Sequence, residues 1–275
     1  MNYKLLFPSF LNRYQFVYQS LKSYSQDARI AILHIGAGEG DYDPMLASFS
    51  SHLISCDINQ NDLNFARIRN SDLTNIEYKH EDALCLSFEN ESFDLAVAVE
   101  VIEHVGSPKV MLENLYRVLK PGGIAILTFP RRNFPLTYDP INFAISLFSN
   151  NHLPIGAYAF GHDYLISAAE FNSWSSDIGF SILDQQPLSG YLVGLIELYW
   201  SGIVHSIFKW NASNRSLSRL KKKYKMRPGN RVPLFTRVTQ KIIQVDRHIF
   251  SSGARTLGIG YVLQKNTKVM PNEIL

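Results

Sequence analysis

Cysteine is scarce in this chain: Cys56 and Cys85 are the two present in 275 residues. They stand singly, without the paired spacing that holds a metal and without the numbers that frame a disulfide scaffold. Both are expected to be small buried residues. The segment Met1-Asn2-Tyr3-Lys4-Leu5-Leu6-Phe7-Pro8 lacks an apolar signal core, so no secretory leader is expected and a cytoplasmic address follows. Acidic residues are nearly missing from one region. Between Ile203 and Thr256 there are 13 Lys plus Arg against a single acid, Asp246, whereas Met1 to Gly202 holds 12 against 22. The overall charge of +3 therefore hides a strong segregation, and the basic part is expected to face something anionic.

With 46% hydrophobic and 19% charged residues, the chain can build one sizeable core with an elaboration, or two small domains. Its organising stretch is Ile30-Ala31-Ile32-Leu33-His34-Ile35-Gly36-Ala37-Gly38-Glu39-Gly40. An apolar run of this kind reads as a buried parallel strand. The glycines that follow permit φ > 0 and let a ligand approach bare backbone. A second apolar run, His52 to Cys56, delivers Asp57 at its end, where an acid can take the two hydroxyls of a ribose. The spacing G-x-G-x-G falls one position short of the dinucleotide fingerprint.

The rest of the first half alternates. Tyr3 to Ser25 carries apolar residues at helical spacing and reads as an amphipathic helix packed on the sheet. Asp41 to Phe49 reads as a short helix whose unpaired N–H groups open beside the glycines and suit a carboxylate. Asn59 to Asp62 caps the next helix, Asn75 to Lys79 is a short strand, and Phe93 to Val99 is a fourth. Ser107-Pro108 starts another helix, closed by Leu119-Lys120-Pro121-Gly122-Gly123, and Ile124 to Pro130 is strand five. A sixth strand at Gly179 to Leu183 and a seventh at Leu257 to Lys265 complete an α/β, Rossmann-like, doubly wound seven-stranded sheet.

Taken in order, Gly36-Ala37-Gly38-Glu39-Gly40, Phe93-Asp94, Glu103-His104-Val105 and Leu119-Lys120-Pro121-Gly122-Gly123 resemble class I S-adenosylmethionine (SAM) dependent methyltransferases. The similarity is to the group that includes ubiquinone and menaquinone biosynthesis enzymes. It spans Arg29 to Phe129 and continues more loosely to Phe180. The resemblance implies SAM as cofactor and an antiparallel last strand. It also implies a cofactor set of Gly36, Ala37, Gly38, Gly40, Asp57, Ile58, Asp82, Ala83 and Glu100, with Asp82 accepting from the adenine amino group. One residue departs from the pattern: the family begins the motif with Asp or Glu, which helps hold the cofactor's amino group, where this chain has His34. That contact stays open; the fold does not depend on it.

On this frame, residues 1–186 plus 257–265 form the catalytic domain, and residues 187–256 are a basic, apolar helical insertion between strands six and seven. Within it, Tyr191 to Trp210 reads as an apolar helix with a polar stripe at Gly194, Glu197, Ser201, His205 and Lys209. A second helix carries Phe235, Val238, Ile242, Val245 and Ile249 at steps of three and four. The insertion either lies on an anionic membrane surface through residues 191–249 or caps the catalytic domain. Nucleic acid is disfavoured, because Glu100-Val101-Ile102-Glu103 replaces the Pro-Pro-aromatic turn of methyltransferases that act on bases.

Methyl transfer needs alignment and, for a weak nucleophile, a base. His104 and His162 are the candidate bases; Arg131 and Tyr138 are candidates for the acceptor pocket. No metal ligand set is expected. The function expected is methyl transfer to a small or lipid-like acceptor at or near a membrane. The alternative is a catalytically silent SAM-binding scaffold whose insertion binds a membrane or partner.

Overall fold

The computed structural model describes residues 2–24, 30–131, 140–149, 153, 166–195, 229–250 and 256–267. In chain order these give α1 (Pro8–Tyr24), β1 (Ile30–Ile35), α2 (Asp43–Phe49), β2 (Ser50–Asp57), α3 (Gln60–Arg69), β3 (Ile76–His80), β4 (Phe93–Val99), α4 (Pro108–Val118) and β5 (Leu119–Pro130). They continue with α5 (Pro140–Ser146), α6 (Ala168–Ile178), β6 (Phe180–Gly190), α7 (Tyr191–Leu195), α8 (Thr236–Ile249) and β7 (Thr256–Lys265).

The seven strands lie in one sheet in the order β3-β2-β1-β4-β5-β7-β6, with the last strand antiparallel. β1 pairs in parallel with β2 on one side (Leu33 opposite Ile54) and with β4 on the other (Leu33 opposite Ala96). The chain thus winds outward from β1 in both directions, and the order reverses between β1 and β4. Ligands of open α/β sheets settle beyond the carboxyl ends of the strands at such a reversal. Strands covered on both faces read as continuous apolar runs, and Ile32, Leu33, Leu95, Val97 and Ile126 are at most 1% exposed.

By compactness the chain divides into two units. One comprises residues 16–129, 168–186 and 260–275. Its core includes Phe129, Phe171 and Tyr261, whose ring centroids lie 4.4 to 5.6 Å apart. The Tyr261 hydroxyl, carried into this core, donates to Asn172 Oδ1 at 2.9 Å, as a buried polar group must. Phe16 of α1 fills the space above Gly260, where a Cβ would stand 2.6 Å from its ring. This is the packing of the first helix on the sheet expected from its periodicity.

The second unit comprises residues 1–15, 130–167 and 187–259. Leu5, Leu11 and Ile243 form its buried cluster, with Phe10 and Tyr14 packed on it. Asp246 of α8, 2% exposed, accepts hydrogen bonds from the backbone N–H groups of Gly190, Leu192 and Val193. The single acid of the basic segment is therefore the cap of α7. It ties together residues 190–193 and α8, which lie over fifty positions apart in sequence.

Several expectations change. Leu119 to Gly123 does not close α4 but opens β5, because Gly122 turns with φ 78 and the register against β4 shifts between Phe93 and Leu95. β6 runs on to Gly190. Cys56 is buried as expected, while Cys85, in the turn after β3, is exposed. Of the apolar helix expected over Tyr191 to Trp210, α7 is the described part; the rest, and the basic insertion as far as position 228, lie outside the described residues. No described helix is long and apolar enough to cross a membrane.

Candidate functional site

The turn after β1 is built on three left-handed glycines, Gly36, Gly38 and Gly40, with φ between 50 and 73. Two of them are dictated by packing. A Cβ on Gly36 would come 2.3 Å from Val101 Cγ2, and one on Gly40 would come 2.7 Å from both Asn70 Nδ2 and Asp43 Oδ2. Gly38 differs: among the described residues, nothing lies within 4 Å of where its Cβ would be. Bare backbone there borders open space, which suits close approach by a ligand.

Asp57, half-buried at the end of β2, faces this backbone. Its Oδ2 accepts from the Gly38 N–H at 2.7 Å and its Oδ1 from the Asn59 N–H at 2.7 Å. Each oxygen keeps acceptor capacity after one such bond, so the carboxylate can hold the loop and still receive a pair of hydroxyls. Next to it, Ile58 is 66% exposed, an apolar surface that folding alone does not cover.

The turn after β3 is stitched to the same place. Glu81 N–H donates to Asp57 O at 3.3 Å, and His80 Nε2 lies 2.9 Å from Ile58 O. Asp82 follows, exposed, its Oδ1 accepting from Leu84 N–H at 2.9 Å in a local turn that includes Ala83. Gly38, Asp57, Ile58 and the Asp82 turn are thus brought together by the Asp57 carboxylate, the His80 ring and the backbone bond from Glu81 to Asp57. Cys56 stays a thiol beneath them, since burial first and the charges of Glu81, Asp57 and Asp43 next push its pKa far up.

Glu100, immediately after β4, adopts φ 55, a conformation uncommon for a residue with a Cβ and found at constrained sites. It is held from both ends: its N–H donates to Thr128 O at 2.9 Å, and its Oε1 accepts from Thr128 Oγ1 at 3.0 Å. His104 sits a few residues on, in a short 3-10 turn, with its side chain 41% exposed and Nε2 3.9 Å from Glu103 Oε1. Arg131 belongs to the other unit; its N–H donates to Leu257 O at 2.6 Å and it bridges to Ile166. His162 and Tyr138 lie outside the described residues.

Beneath the glycine turn is a buried polar network that the spacing of residues along the chain does not reveal. His34 Nδ1 lies 2.8 Å from Asp43 Oδ1, with side chains 1% and 0% exposed. Ser55 Oγ donates to the same oxygen at 2.7 Å, and Tyr78 OH donates to Oδ2 at 2.8 Å. Burial and the Asp43 charge push the Tyr78 phenol up, so it remains a donor. Asn70 Nδ2 reaches Tyr78 OH at 3.0 Å and Gly40 O at 3.2 Å. Arg69, paired with Asp41 at 2.7 Å, donates to Glu39 O at 3.1 Å. The last turn of α3 and its cap thus grip the loop from below. The seven-residue α2 opens beside the glycines as expected, but its first turn already carries the Asp43 carboxylate. The clue in the sequence was His34 itself, a basic side chain on a strand buried on both faces, which requires a partner.

A family profile described as a methyltransferase domain matches residues 33–127. A ubiquinone biosynthesis O-methyltransferase from Ruegeria sp. (strain TM1040) is 28% identical over 211 residues, 73% of this chain and 74% of that protein. A demethylmenaquinone methyltransferase from Clavibacter sepedonicus is 29% identical over 180 residues, 60% of this chain and 71% of that protein. Among solved structures, a SAM-dependent methyltransferase from Mesorhizobium loti aligns with a TM-score of 0.58 at 13% identity, covering 92% of this chain and 97% of that one. At that identity the likeness speaks for the fold.

Proposed function

We propose that this chain, a SAM-dependent methyltransferase with its methyltransferase domain at residues 33–127, methylates a small lipid-like acceptor of the quinone type at a membrane surface. The observation that carries the cofactor site is the 2.7 Å bond between Gly38 N–H and Asp57 Oδ2. It fixes bare backbone and a carboxylate at one edge, where the carboxylate takes the ribose hydroxyls. Ile58 and Ala83 cover the adenine face, Asp82 accepts from its amino group, and Gly36, Ala37, Gly40 and Glu100 shape the methionyl end. SAM supplies a methyl group already activated by its sulfonium. The chain's task is to orient the acceptor and remove its proton.

His104 is the proposed base. Its imidazole is 41% exposed just beyond β4, and imidazole is the side chain most often used to move a proton in a transition state. His162 is a second candidate, and Arg131 and Tyr138 are proposed for the acceptor pocket. The acceptor class is supported by the two quinone-pathway relatives. The membrane is supported by the apolar, basic segment 191–249. The test is formation of S-adenosylhomocysteine with short-chain hydroquinones and with a membrane lipid extract. Turnover with either supports the reading; SAM binding with no turnover on any of them contradicts it.

A further inference from the structure

We propose that the outward face of α8 docks on an anionic lipid bilayer. The inference deepens the membrane part of the function above and rests on it for its biological sense, but it stands on its own geometry.

At 3.6 residues per turn, α8 has three distinct sides. Thr239, Ile243 and Asp246 point inward and are at most 4% exposed. The stripe that its apolar periodicity marks is not this packed side but the adjacent one. Phe235, Val238, Val245 and Ile249 are 52% to 72% exposed, with half-buried Ile242 between them, and Leu234 just before the helix is 93% exposed. A stripe of this length, about 21 Å along the helix axis, is more than the scattered apolar residue that every surface carries.

The charges around the stripe select its occupant. Going round the helix from the stripe away from the packed side, the next residues are Lys241, His248 and Arg237, all exposed. Arg247 lies beyond the packed side and donates to Asn12 Oδ1 at 3.2 Å. The one acid of the helix, Asp246, is turned inward, where it accepts from the backbone of Gly190, Leu192 and Val193. The exposed surface of α8 therefore presents an apolar stripe with a basic edge and no carboxylate. This is the pattern of a helix lying in a bilayer interface, where apolar burial and attraction to anionic headgroups add. An acidic protein groove would match the charge too, but an unbroken row of aliphatic and aromatic side chains beside a basic edge fits a lipid surface better.

The experiment is flotation of the full-length protein with protein-free vesicles of phosphatidylcholine alone or mixed with phosphatidylglycerol. Binding is expected to the mixed vesicles only, and to weaken as salt rises. The variant Val238→Glu/Val245→Glu should bind about a hundredfold more weakly, on the order of tenfold for each buried valine lost. Arg237→Glu/Lys241→Glu should abolish the preference for phosphatidylglycerol. The valine variant should keep its thermal midpoint and its turnover of a water-soluble acceptor, since neither side chain is packed inside. No flotation of the wild type, or equal flotation with both vesicle types, overturns the proposal. Loss of folding in the valine variant also overturns it, because the stripe would then be covered by the chain itself. Flotation without methyl transfer leaves docking standing and removes the proposed acceptor class, so the two readings fail separately.

Discussion

His34 on β1 and Asp43 at the start of α2 share a hydrogen bond of 2.8 Å in a region from which solvent is excluded. The methyltransferase pattern that the sequence resembles has an acid where this chain has the histidine. Here the buried carboxylate comes from Asp43, nine positions later, and three neutral side chains, Ser55, Tyr78 and Asn70, complete its shell. The pair anchors the underside of the loop whose upper side is the candidate cofactor site.

Placing that acid at position 34 should therefore harm this protein. His34→Asp sets two buried carboxylates face to face and is expected to lose about 3 kcal/mol or more of stability. His34→Asp combined with Asp43→Asn should recover a large part of that loss. Urea unfolding of the two variants checks this; an unaffected single variant would show that the pair does not matter.

The glycines separate folding from binding. Gly40→Ala should destabilise strongly, because the new methyl meets Asn70 and Asp43 at 2.7 Å. Gly38→Ala has room and should lose about 1 to 2 kcal/mol for its left-handed backbone, yet it should bind SAM at least tenfold more weakly. Unfolding curves read beside calorimetry with SAM distinguish the two. Equal SAM affinity in Gly38→Ala would mean that the open space is not where the ligand lies.

Asp246 gives a pH dependence of definite sign. Burial holds its carboxyl above the usual carboxylate range, outweighing the three N–H donors that favour the ionised form. With the folded value raised, the native state takes up this proton at a higher pH than the unfolded chain. The stabilising contribution is full below the unfolded value and is lost as pH rises through the folded one. Relative to Asp246→Asn, which does not titrate, the wild type should gain stability as pH falls through that window. Asp246→Ala leaves the N–H groups of Gly190, Leu192 and Val193 without this acceptor and should lose about 1 to 3 kcal/mol. Denaturation across mildly acidic pH tests both; a flat difference between wild type and the Asn variant would contradict the assignment.

The cysteines should react unequally. Cys85 is exposed and Cys56 is buried with its thiol pKa pushed up, so a thiol reagent should modify one cysteine in the native protein and the second only on unfolding. Two fast equivalents would contradict the burial of β2.

Much of this was legible because it rests on local rules. Apolar runs alternating with capped helices marked β1 to β5, and Gly36 to Gly40 followed by Asp57 marked the cofactor edge. Three features were less visible, each for a physical reason. Periodicity reveals that α8 has a stripe but not which way it faces; the Asp246 cap and the Ile243 contacts with Leu5 and Leu11 decide that. Pro121 and the two glycines after it look like a helix terminator, and the register shift that makes them part of β5 depends on β4. The partner of His34 is set by how the glycine turn folds back, which no spacing along the chain announces.

Calorimetry of SAM with the wild type and Asp57→Ala decides whether SAM lies against Gly38 with its ribose on Asp57, as proposed. The wild type should bind SAM measurably and the variant at least about tenfold more weakly, with circular dichroism unchanged. Undiminished SAM binding by Asp57→Ala would contradict it.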